Sequence, residues 1–242
     1  MARAREGFHI GKKGTIDLVT EVDLAVEEAF RRLVASRFPD HAVLGEEQGI
    51  GDAAAQARCR WLFDPIDGTT NFAHGLPIFC SSAALEIDGR VEVAAIYDPN
   101  RRELFTAERG GGAFVNGRPL RVSRTDALVD AVLVTGFPYN LQVRTGEMIG
   151  TFTRFLTRAR AVRRLGSAAI DLCYVAAGRL DGFWEEDLKP WDVAAGMLIL
   201  QEAGGRITTF SGGAFSVYGT ELVASNDILH DQMLAVIGAT TA

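Results

Sequence analysis

From Thr20 onward the apolar residues Val22, Val26, Ala29, Phe30, Leu33 and Val34 recur at helical spacing. The stretch "TEVDLAVEEAFRRLVASRF" is therefore predicted to be a helix, capped by Thr20 and closed before Pro39. "AVLGEE" and "RWLFD" are short apolar runs that end in acids, and they predict strands delivering carboxylates to one edge of a sheet. "VEVAAIYDPN", "ELFTAERGGGAFVNG" and "LRVS" continue as strands, joined at Asp98-Pro99-Asn100, by a glycine-rich connection, and by an Asn116-Gly117 hairpin turn. To about residue 128 the pattern is helix plus antiparallel sheet. Beyond it the rhythm alternates: strand "AVLVTGF", helix 141–159, a short strand near "AVRRL", and helix "SAAIDLCYVAAG". Then come "LDGFWEE", the helix "WDVAAGMLILQEAGG" ending on Gly204 and Gly205, and the strands "RITTF" and "ELVAS". Two halves, 1–128 and 129–242, predict a layered α/β enzyme with its site in the cleft between them.

The chain has 242 residues, 48% of them hydrophobic, ample for one large core or two small ones. Its longest apolar runs, such as Met197 to Leu200, fall far short of the roughly 20 residues of a membrane span, so no membrane partner is expected. The opening "MARAREGFHI" carries charges but neither the apolar core nor the cleavage site of a secretory leader. Cys59, Cys80 and Cys173 are odd in number and widely spaced, which argues against a disulfide framework or a structural zinc site. A reducing cytoplasm is the expected compartment. A net charge of −6 offers nucleic acid no general attraction. The local exception is "RFLTRARAVRR", with Arg154, Arg158, Arg160, Arg163 and Arg164, read first as a solvated face. A binding role in an RNA or transcription complex through that stretch is the alternative from another functional class.

The candidate chemistry lies in acids: Asp23 on the first helix, Glu46-Glu47 after "VLG", Asp64 and Asp67 around Pro65 in "FDPIDGTTNF", and Asp192 after Pro190. Singly, Asp192 reads as a helix N-cap, Glu46-Glu47 as a charged strand end and Asp64-Pro65 as a turn starter. Together they differ. Strands that run apolar up to an acid leave it partly desolvated, where an unpaired charge is expensive. Several such acids converging raise one another's pKa unless a cation cancels the repulsion. Oxygen ligands with no His or Cys cluster nearby select Mg²⁺, Mn²⁺ or Ca²⁺ over zinc. Gly68-Thr69-Thr70, directly after Asp67, reads as a turn into a short helix whose free N–H groups can hold an anion. Metal and anion cradle side by side fit hydrolysis of a phosphate ester, with two metals clamping the attacking and leaving oxygens.

"DLVTEVD" (17 to 23), "GEE" (45 to 47), "DPIDGTTNF" (64 to 72) and "WDVAAG" (191 to 196), in this order, resemble the motifs of the inositol monophosphatase family of Mg²⁺-dependent, lithium-sensitive phosphatases. The resemblance implies a five-layer αβαβα sandwich, a homodimer, and two or three Mg²⁺ ions. It makes Glu46, Asp64, the Ile66 carbonyl, Asp67 and Asp192 the metal ligands, with Asp64 bridging two ions. Thr69, near Asp23 and Glu46, would orient and help deprotonate the attacking water, and the Gly68 and Thr69 N–H groups would receive phosphate oxygens. Lys12 or Lys13 matches a mobile basic loop. Glu185, seven residues before Asp192, matches the carboxylate that bonds sugar hydroxyls. Gly166-Ser167-Ala168 and Arg163 match the rest of that pocket. Members carry a long first helix ahead of the basic loop; with sixteen residues before Asp17, that helix is expected to be cut short or lost. The implied substrate is a small polyol phosphate, myo-inositol 1-phosphate first. Histidinol phosphate, fructose 1,6-bisphosphate and NADP or phosphoadenosine nucleotides are the same-class alternatives. "TTNF" favours the inositol group, because nucleotide-directed relatives tend to carry lysine in place of Thr70.

Overall fold

The computed structural model describes residues 10–12, 18–49, 57–138 and 141–239. Strand β1 (Ile10–Lys12) pairs antiparallel with β2 (Leu18–Thr20), which leads directly into helix α1 (Glu21–Arg37). The Thr20 hydroxyl oxygen accepts the Val22 N–H at 3.2 Å, and Asp23 Oδ2 accepts the Thr20 N–H at 2.8 Å, so the start of α1 is closed from both sides. The inner face of α1 differs from the predicted apolar stripe. Asp23, Glu27 and Val34 are buried with Val26 and Phe30 beside them, while Ala29 and Leu33 face solvent. Acids on a buried face need hydrogen-bond donors, and both find them in backbone N–H groups.

The larger sheet has the order β3 (Ala42–Gly45), β4 (Cys59–Asp67), β5 (Cys80–Ile87), β6 (Arg90–Asp98), β7 (Glu103–Glu108), β8 (Gly112–Val115) and β9 (Arg118–Pro119). All its pairs are antiparallel except β3–β4. That exception corrects the antiparallel expectation: the connection from Glu46 to Arg58 is long enough for the crossover a parallel pair demands. Strand β4 runs past Asp64 to Asp67, and its pairing with β5 shifts between those two residues, a bulge that absorbs Pro65. Helix α2 (Thr69–Ala73) follows at once. The Asn116-Gly117 turn has φ of 48° and 75°, as a tight hairpin requires. "LRVS", expected as a strand, is irregular backbone beyond β9.

The second sheet has the order β11 (Ala161–Arg163), β10 (Val132–Thr135), β12 (Gly182–Glu186), β14 (Glu221–Ser225) and β13 (Arg206–Thr208). In it β10 runs parallel to both its neighbours and β14 antiparallel to its own. Helices α4 (Ala168–Ala176) and α5 (Pro190–Glu202) lie between the two sheets. Helix α1 covers β3 and β4, while α3 (Leu141–Leu156) and α6 (His230–Ile237) cover the far face of the second sheet. The result is the five-layer αβαβα sandwich. In α5 every residue from Val193 to Leu200 is buried, as a helix enclosed by two sheets should be. A Cβ on Gly196 would lie 2.6 Å from Leu172 Cδ1, so this glycine sets the close approach of α5 to α4. Among the described residues no helix is long and apolar enough to cross a membrane.

Candidate active site

A cavity of about 300 Å³ opens where the ends of β3, β4 and β12 meet the starts of α4 and α5. Glu46 enters from the turn after β3, and Asp64, Ile66 and Asp67 from the bulged end of β4. Gly166-Ser167-Ala168 enter at the start of α4, Glu185 from β12 and Asp192 from α5. Both halves of the chain thus contribute. Asp192 is not the N-cap. That position is Lys189, with Pro190 first in the helix, and Asp192, one turn in, accepts the Lys189 N–H at 2.7 Å while lining the cavity. Asp67 Oδ2 accepts from the Ser167 hydroxyl at 2.6 Å and the Ala169 N–H at 2.7 Å, which joins β4 to α4. The Thr69 hydroxyl lies 2.9 Å from the Ile66 carbonyl and 3.4 Å from Asp23 Oδ1.

Gly68 sits at the entry to α2 with φ 96°, a left-handed conformation. A Cβ there would come within 2.9 Å of the Ile78 carbonyl and 3.1 Å of the Gly166 carbonyl. The first bond of α2 runs from the Phe72 N–H to the Gly68 carbonyl, so the Thr69 and Thr70 N–H groups precede the helical ladder and both residues line the cavity.

Electrostatically the cavity is strained. Asp64 lines it together with Glu46, Asp67 and Asp192, and its Oδ1 is buried and accepts no hydrogen bond. Carboxylates gathered in one buried cavity repel one another unless a proton or a cation offsets their charge. Burial, then Glu46, Asp67 and Asp192, push the Asp64 carboxyl well above the ordinary range. Burial raises Asp67 to about 6 against the opposing hydrogen bonds from Ser167 and Ala169. Burial and the charge of Asp67 raise Asp192 to about 8. Glu185 is also raised to about 8, by burial, Asp192 and Asp67, with Arg164 opposing. Among the described residues no three acid, histidine or cysteine side chains close into a ready-made metal shell. The donors still suit Mg²⁺, which ordinarily takes one or two carboxylates and completes its octahedron with water and substrate phosphate.

One expected site residue falls elsewhere. Arg163 is exposed at the end of β11, its guanidinium bonded to the Val162 carbonyl, and Arg164 lines the cavity instead. Successive strand residues point to opposite sides, so a one-residue shift exchanges them. Lys13 lies outside the described residues, and Lys12 is placed only as part of the β1 backbone. The arginine stretch does not form one face: Arg154 bonds the Val236 and Ile237 carbonyls, Arg160 pairs with Asp130, and Arg164 reaches the cavity.

Other residues went unread. Asn71 Nδ2 donates to the Ile78 and Leu165 carbonyls, both at 2.8 Å, fastening α2 to the loop before Gly166. Gly136 follows β10 opposite Glu185, and a Cβ there would lie 2.0 Å from Glu185 Oε1. Asp171 is buried beside the cavity with Oδ1 accepting no hydrogen bond, its carboxyl raised by burial and by Glu185. The parallel β10–β12 pairing could have pointed to Gly136; nothing in the sequence marked Asp171, which reads as an ordinary helix residue.

The structure is a layered α/β sandwich with an acid-lined cavity at the ends of β3, β4 and β12, the setting of an α/β enzyme. The chain belongs to the inositol monophosphatase family, a family of phosphoric monoester hydrolases, whose model matches residues 1–241. It is 44% identical over 241 residues to the chloroplastic phosphatase IMPL1 of Arabidopsis thaliana, covering 96% of this chain and 64% of that protein. It is 40% identical over 232 residues to an inositol-1-monophosphatase of Mesorhizobium japonicum, covering 96% of this chain and 87% of that one. Among solved structures, the extragenic suppressor protein suhB of Bartonella henselae superposes with a TM-score of 0.92 at 37% identity, over 98% of this chain and 90% of that one. An IMPase/NADP phosphatase complexed with Mg²⁺ and phosphate superposes with a TM-score of 0.86 at 27% identity, over 99% and 89%.

Proposed function

We propose that this protein hydrolyses phosphate monoesters of small polyols, myo-inositol 1-phosphate foremost, in a Mg²⁺-dependent and lithium-sensitive reaction, as a homodimer in the cytoplasm. The observation that carries the reading is the gathering of Glu46, Asp64, Asp67 and Asp192 at one cavity, where a buried Asp64 oxygen accepts no hydrogen bond. Such an arrangement needs positive charge, and a neutral-pH enzyme meets that need with a hard cation.

Glu46, Asp64, the Ile66 carbonyl, Asp67 and Asp192 would hold two or three Mg²⁺ ions. When bound, Mg²⁺ lowers the pKa of a coordinated water and stabilises the departing alkoxide. Thr69, beside the Ile66 carbonyl and Asp23, orients the attacking water together with Glu46. The Gly68 and Thr69 N–H groups face phosphoryl oxygens that gather charge in the transition state, so positioning and electrostatics supply most of the rate. Glu185 bonds ring hydroxyls, with Arg164 in the place expected for Arg163. The test is a phosphate-release panel with inositol 1-phosphate, histidinol phosphate, fructose 1,6-bisphosphate, NADP and a phosphoadenosine nucleotide, with and without Mg²⁺ and Li⁺. Preference for inositol 1-phosphate, lost in chelator, supports the reading. Full activity in chelator refutes the metal assignment, and a higher kcat/KM on another panel member refutes the substrate.

A further inference from the structure

We infer that Glu27, one helical turn beyond Asp23 on α1, is the positioning residue that fixes Glu46 at the cavity. The inference rests on the assignment of Glu46 as a metal ligand. Glu27 is fully buried and does not itself line the cavity. It faces the turn after β3. Glu27 Oε2 accepts the Glu47 N–H at 2.8 Å and Oε1 the Gln48 N–H at 3.1 Å, so the two peptide groups immediately after Glu46 are anchored to one side chain. Arg31, next along the same helix face, donates to Glu27 Oε1 at 2.9 and 2.8 Å, to the Val43 carbonyl at 3.0 Å and to the Gly49 carbonyl at 2.6 Å. The pair therefore binds the last strand residues before the turn and the backbone after it, with Glu46 held between.

The local sequence is built around this carboxylate. A Cβ on Gly45 would lie 2.5 Å from Glu27 Cδ, so only glycine admits the carboxylate beneath the turn. Backbone bonds between Gly45 and Gly49 in both directions, at 3.3 and 3.1 Å, close the loop above it, with Gly49 at φ 62°. A buried carboxylate that accepts backbone N–H bonds and pairs with a guanidinium holds its partners strongly. A flexible acid on a five-residue turn would lose entropy on meeting a cation; one on a clamped turn has lost it during folding. The glycine of "GEE" and the acid four residues after Asp23 are thus two parts of one device.

The experiment uses the full chain. In Glu27→Gln the amide must present an N–H₂ to one of the N–H groups or to Arg31, so the clamp opens while side-chain volume is kept. Amide hydrogen exchange of the metal-free protein over residues 43–49 should quicken at least tenfold, and Mg²⁺ binding by calorimetry, well below the melting temperature, should weaken about tenfold. Arg31→Lys, which retains charge but not the forked contacts, should shift both readouts in the same direction and substitutes for Glu27→Gln should that variant fail to fold. A merely structural role would lower the melting temperature and leave Mg²⁺ affinity at wild-type strength, which overturns the inference, as does unchanged exchange across the turn. Glu46→Gln is the control: if it alone weakens Mg²⁺ binding, the positioning role of Glu27 falls and the ligand stands. If neither variant weakens binding, the ligand assignment falls and the inference with it.

Discussion

Glu185→Gln should make the metal-free protein more stable and a poorer polyol phosphatase at once. Burial and the neighbouring acids hold the Glu185 carboxyl protonated in the folded protein up to about pH 8. In the unfolded chain it ionises near pH 4.3. At pH 7.5 folding must therefore bind a proton, at a cost of up to about 4 kcal/mol, or about 2 kcal/mol once water reaching this half-buried group is allowed for. Glutamine needs no proton but still buries an amide, leaving a net gain of about 1–2 kcal/mol. That corresponds to a rise of roughly 2–8 °C in melting temperature for a chain of this size. The gain should be absent near pH 4, where both states carry the proton. It should grow as the pH climbs through the unfolded value and level off above about pH 8. Differential scanning calorimetry in chelator, from pH 4 to 9, measures it. In the Mg²⁺-loaded enzyme, kcat/KM should fall roughly tenfold to a hundredfold on inositol 1-phosphate and little on p-nitrophenyl phosphate, which has no ring hydroxyls. A stability gain of the same size at pH 4 and pH 7.5, or none at either, would refute the electrostatic argument. Equal kinetic losses on both substrates would move Glu185 into the catalytic apparatus.

Asp67→Asn should stay folded, since an amide oxygen can still accept from Ser167 and Ala169, while Mg²⁺ binding weakens and kcat falls by orders of magnitude; wild-type Mg²⁺ affinity by calorimetry would remove Asp67 from the ligand set. Thr69→Ala should lower kcat with Mg²⁺ affinity nearly unchanged, and comparable losses in both would place the hydroxyl on the metal. Gly136→Ala, by pushing a methyl into the Glu185 carboxylate, should reproduce the substrate selectivity of Glu185→Gln; equal kcat/KM losses on inositol 1-phosphate and p-nitrophenyl phosphate would show that the glycine serves the backbone and not the carboxylate.

The architecture was legible where a period repeats over a long enough stretch. Helix α1, the turn at Asn116-Gly117 and the alternating second half follow from spacing and turn residues alone. Strand β5 did not, although its burial alternates regularly from Cys80, because cysteine, serine and alanine carry the pattern with little hydrophobic contrast. Helix α5 has no polar stripe to read, being enclosed on all sides, and the Gly204-Gly205 stop marked it instead. The inner face of α1 was misjudged for a related reason. Apolar residues were counted inward, while the positions nearest the site were given to Asp23 and Glu27, whose donors lie on other elements. A pattern of side chains cannot reveal a carboxylate whose partners are distant backbone N–H groups.

The same limit explains the rim of the cavity. Residues from the two halves are joined there by polar bonds of long sequence separation: Asp67 to Ser167 and Ala169, Asn71 to the Leu165 carbonyl, and Ser82 to the Trp191 carbonyl at 3.2 Å. Apolar packing between the sheets fixes how far apart the halves lie, but tolerates small slides because dispersion has no direction. These bonds do have direction, and they are made by site residues or their immediate neighbours. Asp67 is thereby asked to do two things, to hold the start of α4 with one oxygen and to offer charge to the cavity. That start carries Gly166, Ser167 and Ala168, the backbone rim expected to meet the substrate. The distance from the acids on β4 to that rim is accordingly set by one carboxylate and one amide side chain, both within "DPIDGTTNF". One motif places the acids and also the wall opposite them.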